Sequence, residues 1–122
     1  IAPGTVMGHV HLHVADLAAA KAFYVDLLGF DITTEALPGA LYVSAGGYHH
    51  HMGLNIWAGQ GASPAPAEAA GLRALTIALP RQEESDRLRA RIAAAGLPIE
   101  EDSEGFVVAD PSSNRVRFVV AT

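Results

Sequence analysis

The chain contains no cysteine. That excludes disulfides and thiolate metal sites, and it suits a cytoplasmic protein. No window of about 18 uncharged apolar residues occurs, so neither a transmembrane span nor a membrane partner is predicted. A signal-peptide pattern is missing as well. Positive charge is scarce: the net charge is −5 and the arginines are scattered. A nucleic-acid partner needs a basic stripe, and none is present. An initiating methionine is also lacking, since the chain starts at Ile1. The expectation is a processed leader or a piece of something longer.

What is present is apolar residues in regular patterns. The 122 residues are 50% hydrophobic, enough for one domain or for a pair of small repeats. Residues 8–14 read as a strand. Asp16 reads as an N-cap for a helix over 17–28, which Gly29 ends. Strands follow at 30–34, 40–45 and 48–58, with Gly46-Gly47 as a hairpin turn. Residues 59–71 are rich in glycine, proline, alanine and serine and read as a linker. The order then recurs: a strand over 72–79, a helix over 82–95 closed by Gly96, and strands at 99–101, 105–109 and 116–121. Leu-Gly-Phe-Asp-Ile (28–32) and Ala-Gly-Leu-Pro-Ile (95–99) mark equivalent points. The expected fold is therefore α+β, with two β-α-β-β-β repeats, 8–58 and 72–122, in a single 1–122 module. One helix covers one face of each sheet. The expected architecture is a curved mixed sheet forming a cup, with the helices on the convex side.

Histidine is the informative residue. In a strand, His9, His11 and His13 share one face, and Val10, Leu12 and Val14 share the other. In the fourth strand His49, His51, Asn55 and Trp57 share one parity, and Met52, Leu54 and Ile56 the other. Five of the six histidines are expected to open onto one polar hollow. His50 has the opposite parity and is expected on the surface at the strand start. Asn55 and Trp57 are candidate pocket walls, and Trp57 suits plain packing equally well. Arg115 and Arg117 face the hollow or its rim, with ordinary surface ion pairing as the alternative. Glu100-Glu101-Asp102 reads as a solvated strand end.

Gly-His-Val-His-Leu-His-Val-Ala-Asp-Leu (8–17) with Ala-Lys-Ala-Phe-Tyr-Val-Asp-Leu-Leu-Gly-Phe (20–30) resembles the vicinal oxygen chelate superfamily of glyoxalases, antibiotic-resistance binders and extradiol dioxygenases. Ser-Ala-Gly-Gly-Tyr-His-His-His-Met-Gly-Leu-Asn-Ile-Trp-Ala-Gly (44–59) resembles the second module of two-module bacterial catechol 2,3-dioxygenases. The resemblance implies a divalent metal, with ligands from the first and last strands of the repeats. His9 falls on the first-strand position of repeat one. The other three positions fall at Gly53, Ala74 and Arg117, which are non-ligating. Extradiol cleavage uses Fe(II) or Mn(II) held by two histidines and a carboxylate. The resemblance therefore implies that His9 is one ligand and that a preceding module supplies the rest.

The implied substrate is a small catechol-like aromatic, used with dioxygen. His51 is the candidate catalytic residue, for acid–base work or for substrate contact. His11, His49, Asn55 and Trp57 are the candidate substrate-binding residues. One rival reading is a metal-free binding module of the drug-sequestering type, with a dimeric cup around a small aromatic ligand. Another is a glyoxalase-like lyase, which wants four ligands. Free sheet edges need covering, so a homodimer or an N-terminal sister module is expected. In a homodimer the metal position is expected to be empty, or loosely filled by His9 with His11, His49 or His51.

Overall fold

The computed structural model describes residues 1–5 and 8–121. β1 (Val10–His13) runs into α1 (Leu17–Lys21). The Asp16 carboxylate starts this helix by accepting from the Ala19 N–H at 2.7 Å. Past Lys21 the chain widens into a π-helical turn over Ala22–Leu27. This departs from the regular helix expected across 17–28. The wider turn accompanies the burial of two adjacent rings, Phe23 and Tyr24. Gly29, at φ +92°, ends the segment in the left-handed region that a side chain would resist.

β2 (Asp31–Thr34), β3 (Ala40–Ser44) and β4 (Met52–Asn55) complete the first sheet, in the order β1-β4-β3-β2. β1 and β4 are parallel, and the other pairs are antiparallel. The second sheet comprises β5 (Leu75–Leu79), β6 (Glu100–Glu101), β7 (Gly105–Ala109) and β8 (Arg115–Val120). Its order, β5-β8-β7-β6, repeats the first, with β5 and β8 parallel. α2 (Gln82–Ala94) lies between β5 and β6 in sequence. Both halves are thus β-α-β-β-β, and the fold is α+β as expected.

Several strands are shorter than their sequence pattern suggests, among them β1, which covers Val10–His13 rather than 8–14 and leaves His9 just ahead of it. β4 covers Met52–Asn55 rather than 48–58. At its start, Gly46 and Gly47 both have positive φ, so residues 45–51 arch out of the ladder. At its end, the Asn55 Oδ1 accepts from the Trp57 N–H at 3.2 Å and turns the chain away. β5 begins at Leu75, leaving 72–74 outside the ladder.

Leu12, Val14, Phe23, Tyr24, Leu41, Leu54, Leu88, Ile92, Phe106 and Phe118 belong to one buried cluster, fed by both sheets and both helices. The apolar parity of β1 and β4 therefore faces the helices, and the odd-numbered side chains face away. Polar ties join the halves too. The Tyr24 hydroxyl donates to Asp110 Oδ2 at 2.9 Å, and Arg91 donates to the Leu28 carbonyl at 2.9 Å. Ser112 Oγ accepts from the Ala15 N–H at 2.8 Å, and Asn114 donates to the His13 carbonyl at 3.0 Å. Among the described residues, no helix is long and apolar enough to cross a membrane.

Candidate functional site

Register builds the site. His11 pairs with Gly53, and Gly53 with Tyr42, so these three positions lie side by side on the face turned away from the helices. His13 pairs with Asn55 on that face. Gly53 carries no side chain, and the His11 ring occupies the space one would fill. His11 also packs edge-on against Tyr42 at 5.7 Å and stacks near Trp57 at 6.5 Å between ring centroids.

The 45–51 segment folds back over this face. His50 comes to rest against Tyr42, with centroids 5.0 Å apart, and against His9 at 4.5 Å. His49 packs on His50 at 4.6 Å. One ring nitrogen from each of His9, His49 and His50 lies within 4.8 Å of the other two. This corrects the expectation for His50, which is half-buried at the centre of the cluster rather than a surface residue at a strand start. The reason is physical: strand alternation ceases to apply once the backbone leaves the ladder. Burial first, then the neighbouring His9, holds the His50 imidazole below its usual range, with His49, His11 and His51 adding to the effect.

His51 stands apart from that trio. Its Nδ1 accepts from the Ala45 N–H at 3.2 Å, and its ring stacks on Tyr48 at 4.7 Å. With Nδ1 accepting, a neutral His51 carries its proton on Nε2. The His51 carbonyl accepts from the Val10 N–H at 3.0 Å, which fixes the end of the loop beside β1.

A cleft of about 610 Å³ opens where β1 and β4 begin. His9 and His51 contribute to its wall, together with Val10, Met52, Leu75 and Ile77. Ala74 lies on the same wall, so the first-strand positions of both repeats, His9 and Ala74, meet there. The remaining expected site residues are accounted for. Asn55 is 2% exposed, and its side-chain oxygen is taken by the Trp57 backbone. Trp57 is 59% exposed, so it is not core packing; its indole N–H donates to the Pro38 carbonyl at 3.4 Å.

Arg115 and Arg117 take the surface alternative. Arg115 bonds Glu100 at 2.8 Å, while Arg117 bonds Asp102 at 2.6 Å and Glu104 at 3.5 Å. Asp102 also accepts from the Glu104 and Gly105 N–H groups. The Glu104 N–H is the main cause of its lowered pKa, with Arg117 adding to it. Glu101 pairs with Arg89. The acidic run is thus occupied by Arg115 and Arg117 of β8 and by Arg89 of α2.

Sequence reasoning passed over His50, Tyr42, Tyr48 and Asp110. Only the Gly46-Gly47 pair signalled that 45–51 would arch. Nothing local marked Asp110, which is buried and accepts the Tyr24 hydroxyl from the other repeat.

Residues 6–118 match the Glyoxalase/Bleomycin resistance protein/Dioxygenase superfamily. The chain is 55% identical over 118 residues to the catechol-2,3-dioxygenase of Bacillus subtilis (strain 168). That match covers 95% of this chain but 41% of the relative's length. Among solved structures, lactoylglutathione lyase from Agrobacterium tumefaciens aligns with a TM-score of 0.73 at 25% identity, over 98% of this chain and 96% of that one. A glyoxalase/bleomycin resistance protein/dioxygenase from Alicyclobacillus acidocaldarius aligns at 0.68 with 21% identity, over 96% and 91% respectively. The repeated β-α-β-β-β order, the histidine-bearing first strand and these matches make the chain a member of the Glyoxalase/Bleomycin resistance protein/Dioxygenase superfamily.

Proposed function

We propose that this chain is one module of a metal-dependent extradiol dioxygenase that opens catechol-like aromatics with dioxygen. The observation that carries the reading is the 55% identity to a catechol-2,3-dioxygenase across nearly the whole chain. The cleft supports it. Its volume of about 610 Å³ lies in the range of small-molecule sites, with imidazoles beside apolar side chains.

The donor set bears on the metal. An extradiol Fe(II) or Mn(II) site takes two histidines and one carboxylate. The described residues of the cleft wall offer His9 and His51 but no carboxylate. At the last-strand position Arg117 is cationic and held by Asp102 and Glu104. These residues do not make a complete ligand set. In this reading His9 is a single ligand, and a sister module supplies the others.

What this chain's own residues contribute is positional. His51 is oriented by the Ala45 N–H and offers Nε2–H as a donor to a substrate oxygen. His11 and His49 are not on the cleft wall but lie beside His9, which is. Asn55 acts through Trp57, whose backbone it holds, and the exposed indole forms an outer wall. The module pairs with a sister module or with a second copy. The test is oxygen uptake by iron-loaded full-length protein. Catechol-dependent uptake with a ring-opened yellow product is expected. No uptake with any catechol by intact, iron-loaded protein would end this reading.

The cleft also favours a second reading, a metal-free module that binds a small aromatic ligand. Val10, Met52, Leu75 and Ile77 supply its apolar walls. Saturable binding of such a ligand by protein devoid of metal in elemental analysis, with no turnover, would distinguish it.

A further inference from the structure

We propose that His9, His49 and His50 form an all-imidazole site for a divalent ion of the zinc class, a site that also fastens the 45–51 loop to β1. The inference does not rest on the dioxygenase reading. It follows from three groups of the same chemistry meeting at one point, with no carboxylate among them.

Geometry comes first. The three ligand nitrogens already lie within 4.8 Å of one another. Zinc–imidazole bonds of about 2.0–2.1 Å require ligand nitrogens about 3.3 Å apart in a tetrahedral set. The rings must therefore close by at most about 1.5 Å. His9 is anchored just before β1, where the Val10 N–H bonds the His51 carbonyl at 3.0 Å. His49 and His50 belong to the loop that begins with Gly46 and Gly47. A Cβ added at either glycine would meet nothing within 4 Å, so the loop starts in open space. His9 and His49 are exposed and His50 is half-buried, which leaves the ion a path in and a fourth position for water.

Chemistry selects the ion. Three neutral imidazoles suit zinc, nickel and copper, whereas magnesium, calcium and manganese prefer oxygen donors. Nearby rings restrict the ligand set. His11 stands 4.9 Å from His9 but 6.4 Å from His50 between centroids, and its place is set by Gly53 and Tyr42. His51 Nδ1 is taken up in accepting the Ala45 N–H. Because His9 would serve both ions, zinc bound here competes with any iron that His9 helps to hold.

The experiment is equilibrium titration of tag-free, chelator-stripped full-length protein with Zn²⁺, and with Co²⁺ as a visible probe. The expected result is one saturable site with the intense visible bands of four- or five-coordinate cobalt. His49→Ala and His50→Ala should each weaken Zn²⁺ binding at least tenfold, and His13→Ala by less than twofold. Zn²⁺ should raise the melting temperature of the parent more than that of either loop variant, a readout that also establishes that the variants fold. Parental binding in both loop variants, an equal loss in His13→Ala, or no saturable site at all would overturn the proposal. None of these outcomes depends on catechol turnover.

Discussion

The imidazole of His11 lies across Gly53, so closely that a Cβ built on Gly53 would stand 2.6 Å from its Cε1. Gly53 leaves that space open, and the ring of His11 from β1 fills it. This relationship holds His11 between Tyr42 and Trp57.

Gly53→Ala is expected to push the His11 ring outward. The ring is exposed and can move toward solvent, so the stability change should stay within about 1 kcal/mol, the gain of alanine over glycine in a strand offsetting part of the contact. Trp57 is the single tryptophan. Its emission should therefore report the loss of His11 from its face, and unchanged emission would argue against the packing described.

Tyr24 and Asp110 join the two repeats inside the core. Asp110 accepts from the Ser112 and Asn114 N–H groups at 2.8 Å each, from Tyr24 at 2.9 Å and from the Asn114 amide at 3.0 Å. Burial and then the Asp110 charge push the Tyr24 phenol far above its ordinary range, so it remains a donor. Tyr24→Phe leaves a buried acceptor short of one partner and should cost about 1–3 kcal/mol in denaturant unfolding. A change below about 0.5 kcal/mol would show that the bond is not made in solution.

Two carboxylates predict the acid limb of stability. Asp16 is held below its ordinary pKa by the Ala19 N–H first and Gln60 second, and Asp102 by the Glu104 N–H first. A depressed folded-state value means that the unfolded chain binds the proton more readily. The contribution is complete above about pH 4, the ordinary aspartate range, and is lost as pH falls through the lower folded-state values. Unfolding midpoints should drop from pH 5 to pH 3. In Asp16→Asn the drop should be shallower, and an identical slope would contradict the assignment.

Much of the fold could be read from short-range chemistry. Asp16 caps because its carboxylate reaches Ala19, and Gly29 stops the helix because its φ is +92°. Alternation placed Leu12 and Leu54 in the core and His11 and His13 outside, because those residues stay in the ladder. The site was less legible. Alternation is a property of paired strands, and the backbone of 45–50 lies outside the strand ladder. His50 therefore reached His9 by a path that parity could not anticipate. The same holds for the π-turn at Ala22–Leu27 and the Tyr24–Asp110 bond. The π-turn accompanies the burial of Phe23 and Tyr24, and the bond joins residues 86 apart in sequence, so no local pattern encodes them.

The most direct test compares His9, just ahead of β1, with His13, the last residue of β1, in full-length, iron-loaded protein. His9 lies on the cleft wall and His13 three residues beyond the start of β1, outside that wall. Initial rates of catechol ring opening should fall by about a hundredfold or more in His9→Ala, the scale expected when a group acting directly on the chemistry is lost. His13→Ala should stay within about twofold of the parent, as fits a residue off the cleft. Equal rates for the parent and His9→Ala would contradict the account.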